Sequence, residues 1–248
     1  MLPCTDGYDG YRNANQMNTT QSSRGLIQRE CKELFANIRE RRSTTEGRED
    51  EVHEVAIQAM EIYREQLNDL LVNRTFWPDY GHLIAQVERS SGVFTCAGIT
   101  SFPCSTYAEA EDCILRANRN RFSEFHHTGK AHIIFRLLYT TKATSVHLNV
   151  ADLAGSTIGA PMGAALGEGQ HIRLSFTSLR DTMRAMKSGG HAPFRNSKLT
   201  MLLKQSIEHG HMAFLATVSP ASICHDGSLA TLRFIDSLKP SYTAPTSV

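Results

Sequence analysis

Two apolar runs, residues 132–138 and 146–150, flank the short polar stretch Thr-Thr-Lys-Ala-Thr. Such runs, rich in β-branched and aromatic residues and separated by a few polar ones, predict a β-hairpin. The second run leads without a break into Asp152-Leu153-Ala154-Gly155-Ser156-Thr157. A carboxylate and a glycine therefore stand where a strand is expected to end.

Helical patterns lie on both sides of this hairpin. Ile27, Cys31, Leu34, Phe35 and Ile38 recur at steps of three and four, which puts one apolar stripe on a helix that the charged run after residue 38 ends. Val55, Ile57 and Ala59 alternate as a strand does, and Leu67, Leu70 and Leu71 suggest a short helical piece after it. A charged helix is expected from Tyr107, a glycine-rich loop over 159–169, and helices over 171–186, 197–207 and 228–238. The segment 212–220, Met-Ala-Phe-Leu-Ala-Thr-Val-Ser-Pro, reads as a buried strand. Strands interleaved with helices predict an α/β architecture with a mostly parallel sheet. Residues 1–24 are polar and without apolar period, 25–238 form the domain, and 239–248 read as a flexible tail.

Composition narrows the function classes. A chain of 248 residues that is 41% hydrophobic can bury one sizeable core. Its 26 Lys and Arg against 25 Asp and Glu give no overall field toward nucleic acid or membrane, so neither is expected as a partner, and a charged partner has to be met by a local patch. The six cysteines show no Cys-x-x-Cys and no zinc-ligand spacing, which predicts reduced thiols in an intracellular protein. His209 and His211 flank Gly210 without a third ligand nearby, so they read as a turn and no metal site is assigned. No apolar run approaches the ~18 residues of a membrane span.

Four stretches together resemble the kinesin motor domain in order and spacing: Ala-Met-Glu-Ile-Tyr-Arg-Glu-Gln-Leu-Asn-Asp-Leu-Leu at 59–71, Asp-Leu-Ala-Gly-Ser at 152–156, Pro-Phe-Arg-Asn-Ser-Lys-Leu-Thr-Met-Leu-Leu at 193–203, and Phe-Leu-Ala-Thr-Val-Ser-Pro-Ala with Ser-Leu-Ala-Thr-Leu-Arg-Phe within 214–234. The resemblance implies a kinesin-type P-loop NTPase fold, a mostly parallel sheet flanked by helices, here lacking its first strands. It also implies ATP and Mg²⁺ as ligands, microtubules as partner, and a place in the cytoplasm on the cytoskeleton.

Carried over by motif, Asp152 would hold a Mg²⁺-bound water and the Gly155 backbone N–H would sense the γ-phosphate. Thr128, Lys130 and His132 stand at the first switch, where Lys130 replaces an arginine and His132 is retained; the carboxylate that this arginine pairs with is replaced by Thr157. A phosphate loop needs glycines, a lysine and a Ser or Thr. The corresponding residues 7–20 contain Gly7 and Gly10 but no Gly-Lys-Ser/Thr, and Arg12 is the one cation available. His191, Arg195 and Lys198 correspond to the loop and helix that face tubulin, whose acidic surface selects cations.

The expected function is a microtubule-binding, kinesin-like domain, with microtubule-based movement implied by the family and ATPase and motor activity lost or weak. Two other readings stay open: an active motor fragment whose phosphate loop lies upstream, and a non-catalytic subunit that completes a partner kinesin.

Overall fold

The computed structural model describes residues 25–44, 53–72, 84–87, 94–122, 130–155 and 168–238. They fall into two compact units, one built around a sheet and one around helices.

In the sheet unit, α1 (Leu26–Thr44) and α2 (Tyr107–Phe122) accompany β1 (Glu54–Tyr63), β2 (Gln66–Asp69), β5 (Phe102–Cys104), β6 (His132–Thr140) and β7 (Ser145–Asp152). The strand order is β2-β1-β6-β7, with β5 also on β1. Pairing of β1 with β6 sets Ile57 opposite Leu137 and Ala59 opposite Phe135, while β6 against β7 sets Phe135 opposite Val150. Because side chains alternate across a strand, this register gathers Val55, Ile57, Ala59, Ile133, Phe135 and Leu137 on one face. Ile27, Cys31 and Ile38 of α1, with Ala110, Cys113, Ile114 and Ala117 of α2, complete the core. Each fully buried Ile or Leu here stabilises the fold by about 2 kcal/mol.

The thiols of Cys31, Cys104 and Cys113 lie within this core. Burial, the largest cause, pushes Cys31 and Cys104 up to about 12, so they are protonated packing groups. α2 begins with a reciprocal cap: the Glu109 N–H donates to Thr106 Oγ1 at 3.3 Å, and the Ser105 N–H donates to the Glu109 carboxylate at 2.6 Å.

Three expectations are corrected. Among the described residues every pairing given for this sheet is antiparallel, where interleaved elements predicted mostly parallel strands. Two of those pairs, β1 with β2 and β6 with β7, are hairpins, and a short turn can join antiparallel neighbours only. Leu67 belongs to β2 and not to a helical piece: Arg64 and Glu65 both have positive φ, at 50° and 61°, and form the two-residue turn. That backbone matches the twist of a hairpin, but Arg-Glu lacks the Asn-Gly signal that announces such a turn. Residues 212–220 form no strand. The strand alternation persists, with Met212, Phe214 and Ala216 partly covered and Leu215 84% exposed, yet no described strand pairs with the segment.

In the helical unit, α3 (Glu168–Lys187) buries Ile172, Phe176, Leu179 and Met183. Phe176 meets Phe234 of α5 (His225–Leu238) edge to face, with centroids 4.9 Å apart. Gly189, at φ +66°, lets the chain leave α3 in the left-handed conformation. A 3₁₀ turn at Phe194–Asn196 and α4 (Lys198–His209) follow. Separately, β3 (Ile84–Val87) and β4 (Phe94–Ala97) pair with each other.

The end of the β1–β2 hairpin is held by Asp69, a buried carboxylate that accepts the Leu71 N–H at 2.8 Å and the Thr100 N–H at 2.6 Å. Asp69→Ala orphans both donors and is expected to lower unfolding free energy by about 2–4 kcal/mol in urea titration, with Asp69→Asn losing roughly half as much. A loss below about 1 kcal/mol for Asp69→Ala would show that water replaces the carboxylate without penalty.

Candidate functional site

The antiparallel pairing of β6 with β7 brings the beginning of one strand beside the end of the other, with Ile133 opposite Asp152. Two sequence-predicted residues, His132 and Asp152, thereby meet at one end of the hairpin. His132, the first residue of β6, is buried, and its Nδ1 accepts the Ala154 N–H at 3.0 Å. The bond ties the start of β6 to the loop that follows Asp152. It requires Nδ1 to be unprotonated. Burial lowers the His132 pKa to about 4, against a smaller opposing pull from the Asp152 carboxylate.

Asp152 is engaged from an element that the sequence motifs did not single out. Arg121, in the last turn of α2, places Nη1 2.8 Å from Asp152 Oδ2. The arginine side chain is 10% exposed and the aspartate 46%, so solvent screens the pair and about 1 kcal/mol is its expected scale. The signal in the sequence was modest: Arg119 and Arg121 both fall in the final helical turn, where cations complement the helix dipole. The guanidinium occupies Oδ2 of this carboxylate and partly neutralises its charge. Among the described residues no group of three or more His, Cys, Asp or Glu is arranged to hold a metal ion.

Lys130 is exposed in the turn before β6, and Gly155 is exposed just after Ala154. Thr128, Arg12 and the whole stretch 7–20 lie outside the described residues, as does the loop over 159–167.

The three basic candidates sit in the helical unit, on the corner between α3 and α4. His191 and Arg195 are exposed and Lys198 is half-buried. The corner is braced from within. Ser197 caps α4 by accepting the Thr200 N–H at 3.2 Å, and Thr200 Oγ1 donates to the Phe194 carbonyl at 2.8 Å. Phe194 is buried, and Lys204 lies over its ring at 5.7 Å and over that of Phe94 at the same distance. The brace fixes the backbone that carries the cations.

The histidine latch has a pH signature. Between its folded value of about 4 and its ordinary value of 6.5, the unfolded chain binds a proton that the folded chain does not. The stability it contributes is present above about pH 6.5 and is lost as pH falls toward about 4, by roughly 3 kcal/mol in all. His147, also lowered by burial, acts in the same direction, so the test is a difference. His132→Asn keeps an acceptor for the Ala154 N–H without titrating, and urea midpoints for the variant should fall less steeply between pH 6.5 and 4 than those of wild type. Parallel curves would remove the latch.

Comparison with known proteins identifies the family. The sequence profile described as the kinesin motor domain matches residues 14–240. Kinesin-like protein KIF28 of Mus musculus is 30% identical over 240 residues, covering 88% of this chain and 22% of that protein. Kinesin-like protein KIF13B of Homo sapiens is 30% identical over 259 residues, covering 94% and 14%. The solved motor domain of the Saccharomyces cerevisiae kinesin-related protein Kar3 superposes with a TM-score of 0.73 at 25% identity, covering 88% of this chain and 68% of that one. A KIF14 dimer with AMP-PNP in complex with a microtubule gives 0.71 at 26%, covering 88% and 65%. The chain thus spans less than a quarter of these curated relatives and about two thirds of the solved motors. From the hairpin that ends in Asp152 to the braced corner at Ser197, it belongs to the kinesin motor-domain family.

Proposed function

We propose that this chain binds microtubules through the corner carrying His191, Arg195 and Lys198, and that its ATP hydrolysis is weak or lost. The observation that carries the reading is the corner itself: an exposed arginine and histidine and a half-buried lysine on a backbone that its own Ser197 and Thr200 hold in place. Acidic tubulin is the partner that such a patch suits within this family. Weak hydrolysis is supported by the pairing of Asp152 with Arg121. It is supported also by residues 7–20, which contain no Gly-Lys-Ser/Thr, and by Thr157 where the family has a carboxylate. Lys130 and Thr157 have together lost the fork-to-carboxylate pairing that closes the two switches.

Co-sedimentation with taxol-stabilised microtubules, with and without ATP and across a salt series, tests both parts. Binding should weaken as salt rises and should not respond to ATP. Arg195→Glu should weaken it by about tenfold at low salt, roughly 1.4 kcal/mol, with an unchanged unfolding midpoint. Release by ATP, or a robust microtubule-stimulated ATPase, would overturn weak hydrolysis and return the chain to the active motors. Binding that neither salt nor Arg195→Glu reduces would overturn the basic corner.

A further inference from the structure

One lysine of α4 is held differently from the cations of the basic corner. The side chain of Lys204 is 27% exposed, and its Nζ lies 3.6 Å from Glu208 Oε2 on the same helix. The same Nζ stands 5.7 Å from the ring centroid of Phe94 and 5.7 Å from that of Phe194. Both distances fall within the ~6 Å over which an aromatic face attracts an ammonium. Each phenylalanine is only 6% exposed, so water competes little for those rings. The two rings come from separate stretches of chain. Phe194 opens the 3₁₀ turn of the corner, and its carbonyl accepts the Thr200 hydroxyl, whereas Phe94 opens β4 far earlier in the sequence. The hydrogen bonds of Ser197 and Thr200 shape the corner from within, but none of them reaches β4. The Lys204 ammonium does.

We propose that Lys204 is a positioning residue: it seats the basic corner against β4 through the two rings, and so sets where Arg195 and Lys198 are presented without meeting the partner itself. The inference rests on the reading of this corner as the microtubule-binding surface. A cation suits the task for a chemical reason. An apolar side chain would fill the same space, but apolar burial is non-directional. An ammonium is drawn to the faces of two rings and to one carboxylate at once. The flexible four-carbon stem of lysine lets the charge reach both rings from the helix. Three attractions on one group fix its end, and they hold the two phenylalanines to it. The local hydrogen bonds thus give the corner its shape, and Lys204 gives it its place beside β4.

Co-sedimentation with taxol-stabilised microtubules separates a positioning role from a direct one. Lys204→Met keeps the length and apolar bulk of the side chain. It should weaken binding about fivefold and leave the steepness of the salt dependence as in wild type, since no charge that faces the partner has been removed. Arg195→Glu should both weaken binding and flatten that dependence. Lys204→Arg should bind as wild type does, because a guanidinium also lies over aromatic faces. Phe94→Leu, remote from the corner in sequence, should cause a loss similar to that of Lys204→Met, and the two together should lose little more, as two partners in one interaction do. Hydrogen exchange reads the same link without microtubules: Lys204→Met should speed exchange in peptides spanning Phe94 and residues 191–198 and leave β6 unchanged. A salt dependence flattened by Lys204→Met as much as by Arg195→Glu would make Lys204 a direct contact. Unweakened binding by Lys204→Met, full additivity with Phe94→Leu, or unchanged exchange would break the link. Each of these overturns the inference and leaves the microtubule reading standing. If Arg195→Glu leaves binding unaltered, that reading fails on its own, and the exchange pattern still decides for or against the seating of the corner.

Discussion

β6 is the strand on which the sheet unit depends, because it is paired along both edges. It shares nine register positions with β1 and eight with β7. One face of it, Ile133, Phe135 and Leu137, lies in the core that α1 and α2 cover. A slip of one residue on either edge would turn those side chains away from the helices and present Arg136 and Leu138 to them instead. Arg136 illustrates the other face: its Nε donates to Asn149 Oδ1 at 2.8 Å across the β6–β7 pair, and burial, partly offset by Cys96, lowers its pKa. The packing on one face and the cross-strand hydrogen bond on the other specify the same register. That register also decides the candidate site, because it alone brings His132 to Ala154 and Ile133 to Asp152.

Much of this was legible in the sequence. The stripe of α1, the β6–β7 hairpin and the helices α2 to α5 follow from periodicities of 3.6 and 2, and their order carries the kinesin resemblance. What the sequence hid has a physical reason in each case. The β1–β2 turn uses Arg64 and Glu65 in a left-handed conformation that residue identity does not advertise. Strand direction cannot be read from an apolar run, because parallel and antiparallel strands bury similar side chains. Residues 212–220 have strand chemistry, but a strand is a property of a pair, and the partner does not follow from the segment itself. In the site, Asp152 and His132 were found by motif, whereas Arg121 was missed because its partner lies 31 residues away in sequence. Only the packed arrangement of α2 against the sheet joins them.

The two halves of the candidate chemistry differ in how far their supports reach along the chain. Around Asp152 the supports are long-range: Arg121 comes from α2, and His132 reaches Ala154 from 22 residues away. Such an arrangement changes its geometry when any contributing element shifts. The basic corner is the opposite case. Ser197, Thr200 and Phe194 are joined by hydrogen bonds spanning three to six residues, so the segment that carries Arg195 and Lys198 is shaped locally. Substitutions that weaken nucleotide chemistry leave those bonds in place. Loss of hydrolysis, as proposed, would therefore leave that locally braced corner in place, since Lys130 and Thr157 lie outside it in the chain.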